Sequence, residues 1–127
     1  MRSALTGVLV PLAITAIAAS AAQAATGDPA HGAQLYQRCQ LCHSIEHDLV
    51  GPRHIGLFGR KAGSIVGYAY STAMKNSGIT WSEDTLNQFL SGPQAFVPGT
   101  HMTFTGLPNE QDRADVIAYL KEATVPK

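Results

Sequence analysis

The sequence predicts an all-α domain of three to five short helices joined by long loops. Capping residues stand ahead of segments whose apolar side chains recur at helical spacing. No strand–helix–strand pattern is present. Two seventeen-residue stretches, 51–67 and 92–108, are so punctuated by Gly and Pro that no helix or strand period survives in them. In chain order, Asp28-Pro29 opens the first helix, with Asp as cap and Pro at the first helical position. Ala33, Leu35 and Tyr36 supply its buried stripe before Cys39. Ser71–Asn76 forms a short helix that ends by Gly78. Ser82 caps a helix running through Leu86, Phe89 and Leu90, with Glu83 and Asp84 at its positive end and Gly92-Pro93 stopping it. Pro98-Gly99 marks a turn. Asn109 caps the last helix, whose positions Ala114, Ile117, Ala118 and Leu120 are apolar, with Val116 and Tyr119 widening the face.

The chain has 127 residues and 13.4 kDa, enough for one small domain. Nine basic and nine acidic residues cancel, which argues against nucleic acid or an anionic membrane surface as a partner, since both demand a basic face. With 45% apolar and 14% charged residues, the chain is not a disordered tail. Ala4 to Ala22 carries no charge, Arg2 precedes it and Ala22-Gln23-Ala24 follows. This describes a secretory signal peptide over 1–24, cut after Ala24. The alternative is an uncleaved anchor, since 19 uncharged residues nearly span a bilayer, but Pro11 and the many alanines make a weak span. The expected mature domain is 25–127, exported to the periplasm, with formal charge −1 and no membrane insertion.

Loops this long are uncommon unless something organises them, and a domain this small buries little surface unaided. Both facts ask for a large apolar ligand at the centre. Cys39-Gln40-Leu41-Cys42-His43 names it. Two thiols three residues apart on a helical turn reach the vinyl groups of one haem, and the adjacent imidazole projects over its iron. C-x-x-C-H is the c-type haem attachment pattern. A zinc site would need further ligands, usually a second tight pair, and no other cysteine exists. A thioredoxin-like disulfide would sit in a strand–helix–strand context, which is absent.

At this point the chain resembles the class I cytochromes c, in particular the mitochondrial and bacterial cytochrome c2 branch. The resemblance runs from Gly27-Asp28 to Ala123-Thr124 and rests on Cys39–His43, Gly51-Pro52, Gly56–Lys61, Gly78–Trp81, Val97–Met102 and Arg113–Leu120. It implies a small fold wrapped around one haem c held by Cys39 and Cys42, with His43 and Met102 as iron ligands. A thioether is soft and neutral, so it favours Fe(II) and raises the potential. The resemblance further implies that the Pro52 carbonyl accepts the His43 Nδ1–H, and that Arg60, Tyr70 and Trp81 donate to the haem propionates. Thr100 matches a hydroxyl position near the haem interior. Gly32, Tyr36 and Tyr119 match the contact between first and last helices.

The chain also departs from the family pattern. Phe89 stands where many relatives have Tyr, and Met74 where Asn is frequent; the stretch between His43 and Gly51 is about three residues shorter than in the mitochondrial proteins. Positions that hold docking lysines there are Gln94, Ala95, His101, Pro108 and Asn109 here, with Arg38 and Lys61 among the few cations left. Association less sensitive to salt and driven more by apolar contact is therefore expected. His101 replaces a lysine able to displace the Met, and the alternative to a plain surface His is an imidazole that competes for the iron once the loop opens; the surface place is the expectation, as for His31, His47 and His54. The implied function is a soluble, monomeric electron carrier and not an enzyme. Its partners would be a quinol–cytochrome c oxidoreductase (cytochrome bc1-type complex) or a periplasmic dehydrogenase, and a terminal oxidase or photosynthetic reaction centre. The rival readings are a ligand-binding or peroxidase-like haem protein with a labile sixth ligand, and a dedicated subunit of one dehydrogenase.

Overall fold

The computed structural model describes residues 25–127 and, of the segment before them, Gly7. The expected cleavage site after Ala24 and the rest of the signal segment lie outside the described residues. Within them the chain forms α1 (Pro29–Tyr36), a 3-10 turn (Cys39–Leu41), α2 (Thr72–Lys75), α3 (Glu83–Ser91), α4 (Pro93–Phe96) and α5 (Glu110–Ala123). The all-α class is as expected; a single antiparallel bridge, Lys61 to Thr80, is the extended pairing among these residues.

The caps act locally. Asp28 accepts from the N–H groups of Ala30 and His31, Ser71 from Met74, Ser82 from Thr85, and Asn109 from Gln111 and Asp112. Each satisfies helix-end donors that would otherwise lack partners. One element differs from the sequence reading. Residues 93–96 are helical inside the stretch expected to be irregular, because Gly92-Pro93 both ends α3 and starts α4 with Pro at its first position.

Helices α1 and α5 cross at close range. Gly32 is the contact point: a Cβ there would overlap the Asp115 carbonyl oxygen and lie 2.9 Å from the Tyr119 Cβ. The Tyr36 and Tyr119 rings pack beside it, centroids 5.1 Å apart, as the resemblance implied. Tyr36 and Val116 are each 1% exposed, and Ile117, Leu120, Leu86, Phe89 and Leu90 complete the core between α1, α3 and α5.

The crossing also carries an ion pair. His31, expected at the surface, is half-buried, with Nδ1 2.6 Å from Asp115 Oδ2. Asp115 is buried and its other oxygen accepts from Asp28 N and Gln111 Nε2. Hydrogen bonding to Asp115 raises the His31 pKa above its ordinary 6.5, and the Asp28 N–H, then His31, lower that of Asp115 below 3.8. The His31 contribution to stability is therefore fully present below about pH 6.5 and lost as pH rises through the raised value. The Asp115 contribution is present above about pH 4 and lost as pH falls through the lowered value. His31→Gln is expected to flatten the difference in thermal midpoint between about pH 5.5 and about pH 8. A wild-type slope in the variant would exclude the pair as its source.

Candidate functional site

The 3-10 turn places the motif. Cys42 N and His43 N both donate to the Cys39 carbonyl, at 3.0 and 2.8 Å, which sets both thiols and the imidazole along one side of a single turn. Both cysteines are free thiols, Cys39 half-buried and Cys42 exposed. Burial pushes the Cys39 thiol up, the Arg38 charge opposing it. His43 Nδ1 donates to the Pro52 carbonyl at 2.8 Å. This places the proton on Nδ1 and leaves Nε2 with a free lone pair. Burial lowers the His43 pKa, opposed by the Pro52 carbonyl, so the neutral, ligating form prevails. Gly51 is required beside it, because a Cβ would run into the His43 ring.

These side chains open into a cavity of about 340 Å³, within the range of small-molecule and cofactor sites. Its walls draw on every predicted site residue: Cys39, Cys42, His43, Pro52, Arg60, Tyr70, Trp81, Thr100 and Met102. Leu57, Met74, Leu86, Phe89, Leu90, Val116 and Leu120 make the interior apolar. The two seventeen-residue stretches, one carrying Pro52 and Arg60 and the other leading to Met102, thus close around a shared space.

The polar members are positioned by backbone groups. Arg60 donates from Nη1 to the Ile55 carbonyl at 2.9 Å and from Nη2 to the Arg53 carbonyl at 3.0 Å. That uses two of its five N–H donors. The Tyr70 hydroxyl accepts from Ile65 N at 3.3 Å. Trp81 is buried with its ring tilted against Phe89, centroids 5.1 Å apart. Thr100 is buried and its hydroxyl accepts from Met102 N at 3.4 Å.

His54 corrects the sequence reading. It lines the cavity and stacks on His43, centroids 4.3 Å apart and planes 25° from parallel. The Tyr36 hydroxyl lies 2.8 Å from its Nδ1. Burial, then the nearness of a second titratable ring, His43, and of the Arg60 guanidinium, push its pKa down to about 3, so it packs as a neutral ring. His47 and His101 are exposed as expected.

The donor set suits haem c. Two unpaired thiols flank a neutral imidazole with a free nitrogen, a thioether stands on the same cavity, and an apolar interior receives the ring. Here Cys39 and Cys42 would hold the macrocycle and His43 and Met102 its iron. When bound, the group supplies a one-electron Fe(II)/Fe(III) couple.

The cytochrome c family model matches residues 29–124. The chain is 52% identical over 104 residues to a cytochrome c2 of Rhodomicrobium vannielii, covering 80% of this chain and 83% of that one. It is 49% identical over 109 residues to a cytochrome c2 of Blastochloris viridis, covering 84% and 86%. Among solved structures, cytochrome cH from Methylobacterium extorquens superposes with a TM-score of 0.74 at 44% identity, covering 76% of this chain and 99% of that one. The thiol pair, the oriented imidazole and the apolar cavity thus stand in a chain that belongs to the cytochrome c family, whose members hold haem c covalently and pass electrons.

Proposed function

We propose that the chain is a soluble, monomeric periplasmic electron carrier, with His43 and Met102 as axial ligands of one haem c attached through Cys39 and Cys42. The observation that carries this reading is the His43 Nδ1 bond to Pro52 facing a cavity that Met102 also lines. The protein's task is to keep its coordinating atoms still while charge changes. The Pro52 carbonyl fixes one imidazole nitrogen, Gly51 and His54 bracket its ring, and the loop before Met102 is fastened by the Val97-to-Thr100 turn. Arg60, Tyr70 and Trp81 are the donors we assign to the propionates, whose burial would otherwise be costly.

Export through cleavage after Ala24 accords with this role; among the described residues no helix is long and apolar enough to cross a membrane. The cavity mouth supports docking to redox proteins by apolar contact. Leu41 is 83% and Val50 78% exposed there, while Gln94, Ala95 and His101 stand in place of cations. The donors and acceptors that suit such a face are a quinol–cytochrome c oxidoreductase or periplasmic dehydrogenase, and an oxidase or reaction centre.

Absorption spectra of the exported, matured protein test the reading. The expected result is a low-spin c-type spectrum in both redox states, with the weak far-red Met–Fe(III) band when oxidised. A high-spin oxidised spectrum that shifts on adding cyanide or nitric oxide would move the assignment to a ligand-binding or peroxidase-like protein.

A further inference from the structure

Residues 97–102 form a loop that ends on Met102, whose own N–H makes only a long bond within the loop, to the Thr100 hydroxyl at 3.4 Å. The turn bond from Thr100 N to the Val97 carbonyl, 3.0 Å, closes only its first half. From outside, the second half is clasped by Gln94. Its single Nε2 lies 2.7 Å from the Thr100 carbonyl and 3.1 Å from the Met102 carbonyl, so each amide hydrogen has its own acceptor. The base of this side chain is fixed. Gln94 follows Pro93, one of the most deeply buried residues, and α4 ends on buried Val97.

We propose that the Gln94 amide is the clasp that keeps the Met102 loop closed, making Gln94 a positioning residue for the sixth ligand. This rests on the reading of Met102 as that ligand and goes beyond it. The chemistry is selective for an amide. Both acceptors are carbonyl oxygens, so the site needs two donors on one atom and no negative charge. Asn is one carbon shorter, and Glu has the same shape but turns an oxygen toward two oxygens. Lys could donate, yet at this exposed position its compact, strongly hydrated charge favours water over two fixed carbonyls. A neutral clasp also removes a cation from the docking face without loosening the ligand. The polar residue at position 94 thereby gains a reason beyond the loss of lysine.

The test uses the matured holoprotein and imidazole, a neutral probe that enters only when Met102 leaves. Ferric Gln94→Ala is expected to bind imidazole about tenfold more tightly than wild type, the scale of one ordinary net hydrogen bond. Gln94→Glu should exceed that, and the far-red band of both variants should disappear at lower pH than in wild type. Ala95→Glu places the same charge on the next, exposed residue and should leave imidazole affinity unchanged. Wild-type affinity and wild-type band loss in both Gln94 variants would overturn the clasp. Equal gains in Gln94→Glu and Ala95→Glu, with none in Gln94→Ala, would also overturn it, because charge alone would explain them. Should the wild-type ferric protein lack the far-red band altogether, the Met102 assignment fails instead.

Discussion

Met102→Ala is expected to abolish the far-red band and leave the oxidised iron high-spin and open to cyanide. It should also lower the reduction potential by at least about 59 mV, one decade in the relative stability of the two oxidation states. The direction follows from ligand chemistry. A neutral thioether favours the ferrous ion, and water in its place favours the ferric one. The cavity contains one other thioether, so the prediction needs a partner variant. Met74 is buried in α2, where its N–H donates to the Ser71 hydroxyl and its side chain packs in the core cluster. Met74→Leu nearly conserves volume and should keep the band. Met102, in contrast, sits on an irregular loop, half-buried, beside the Thr100 hydroxyl. Retention of the band in Met102→Ala, or its loss in Met74→Leu, would reverse the assignment. The same pair of spectra separates the carrier from a peroxidase-like protein, since only the former depends on a filled sixth position.

What could be read in the sequence was what is decided locally. Asp28, Ser82 and Asn109 cap their helices through bonds spanning two or three residues, so the helices they begin were legible. The Cys39–His43 motif is likewise a single turn, and its chemistry follows from its spacing. Helix α4 was not legible, because Gly92 and Pro93 carry two meanings, the end of one helix and the start of the next, and no side chain caps it. His54 has no local pattern at all. Its place beside His43 is made by a loop folding back, and its partner Tyr36 lies eighteen residues earlier on another element. Gln94 was legible only in part, for a different reason. Set against a family that carries lysines on this face, it registers as a missing charge. Its two bonds to a loop six and eight residues ahead become visible only when the loop has a conformation.

Gly32→Ala is expected to destabilise the holoprotein by about 3 kcal/mol, the upper part of the range for overpacking a tight interior. For a domain of this size that lowers the thermal midpoint by roughly 12–24 °C. The added methyl would fall on the backbone carbonyl of Asp115 and against the Tyr119 Cβ, neither of which can turn aside as a long side chain could. The helices must therefore separate or slide. Gly92→Ala supplies the contrast, because its Cβ would meet only the Ala95 Cβ at 3.6 Å, an ordinary contact. That variant should stay within about 0.5 kcal/mol of wild type. A Gly32→Ala midpoint equal to that of Gly92→Ala would show that the crossing yields at no cost. The effect should also reach the site. Tyr36 is buried at the same crossing and its hydroxyl bonds His54, which stacks on His43; three residues past Tyr36 the chain arrives at Cys39. A crossing forced open displaces Tyr36, and with it the support behind the imidazole. The ferric spectrum of Gly32→Ala is therefore expected to change well below its unfolding midpoint, whereas that of Gly92→Ala stays as wild type until the fold is lost.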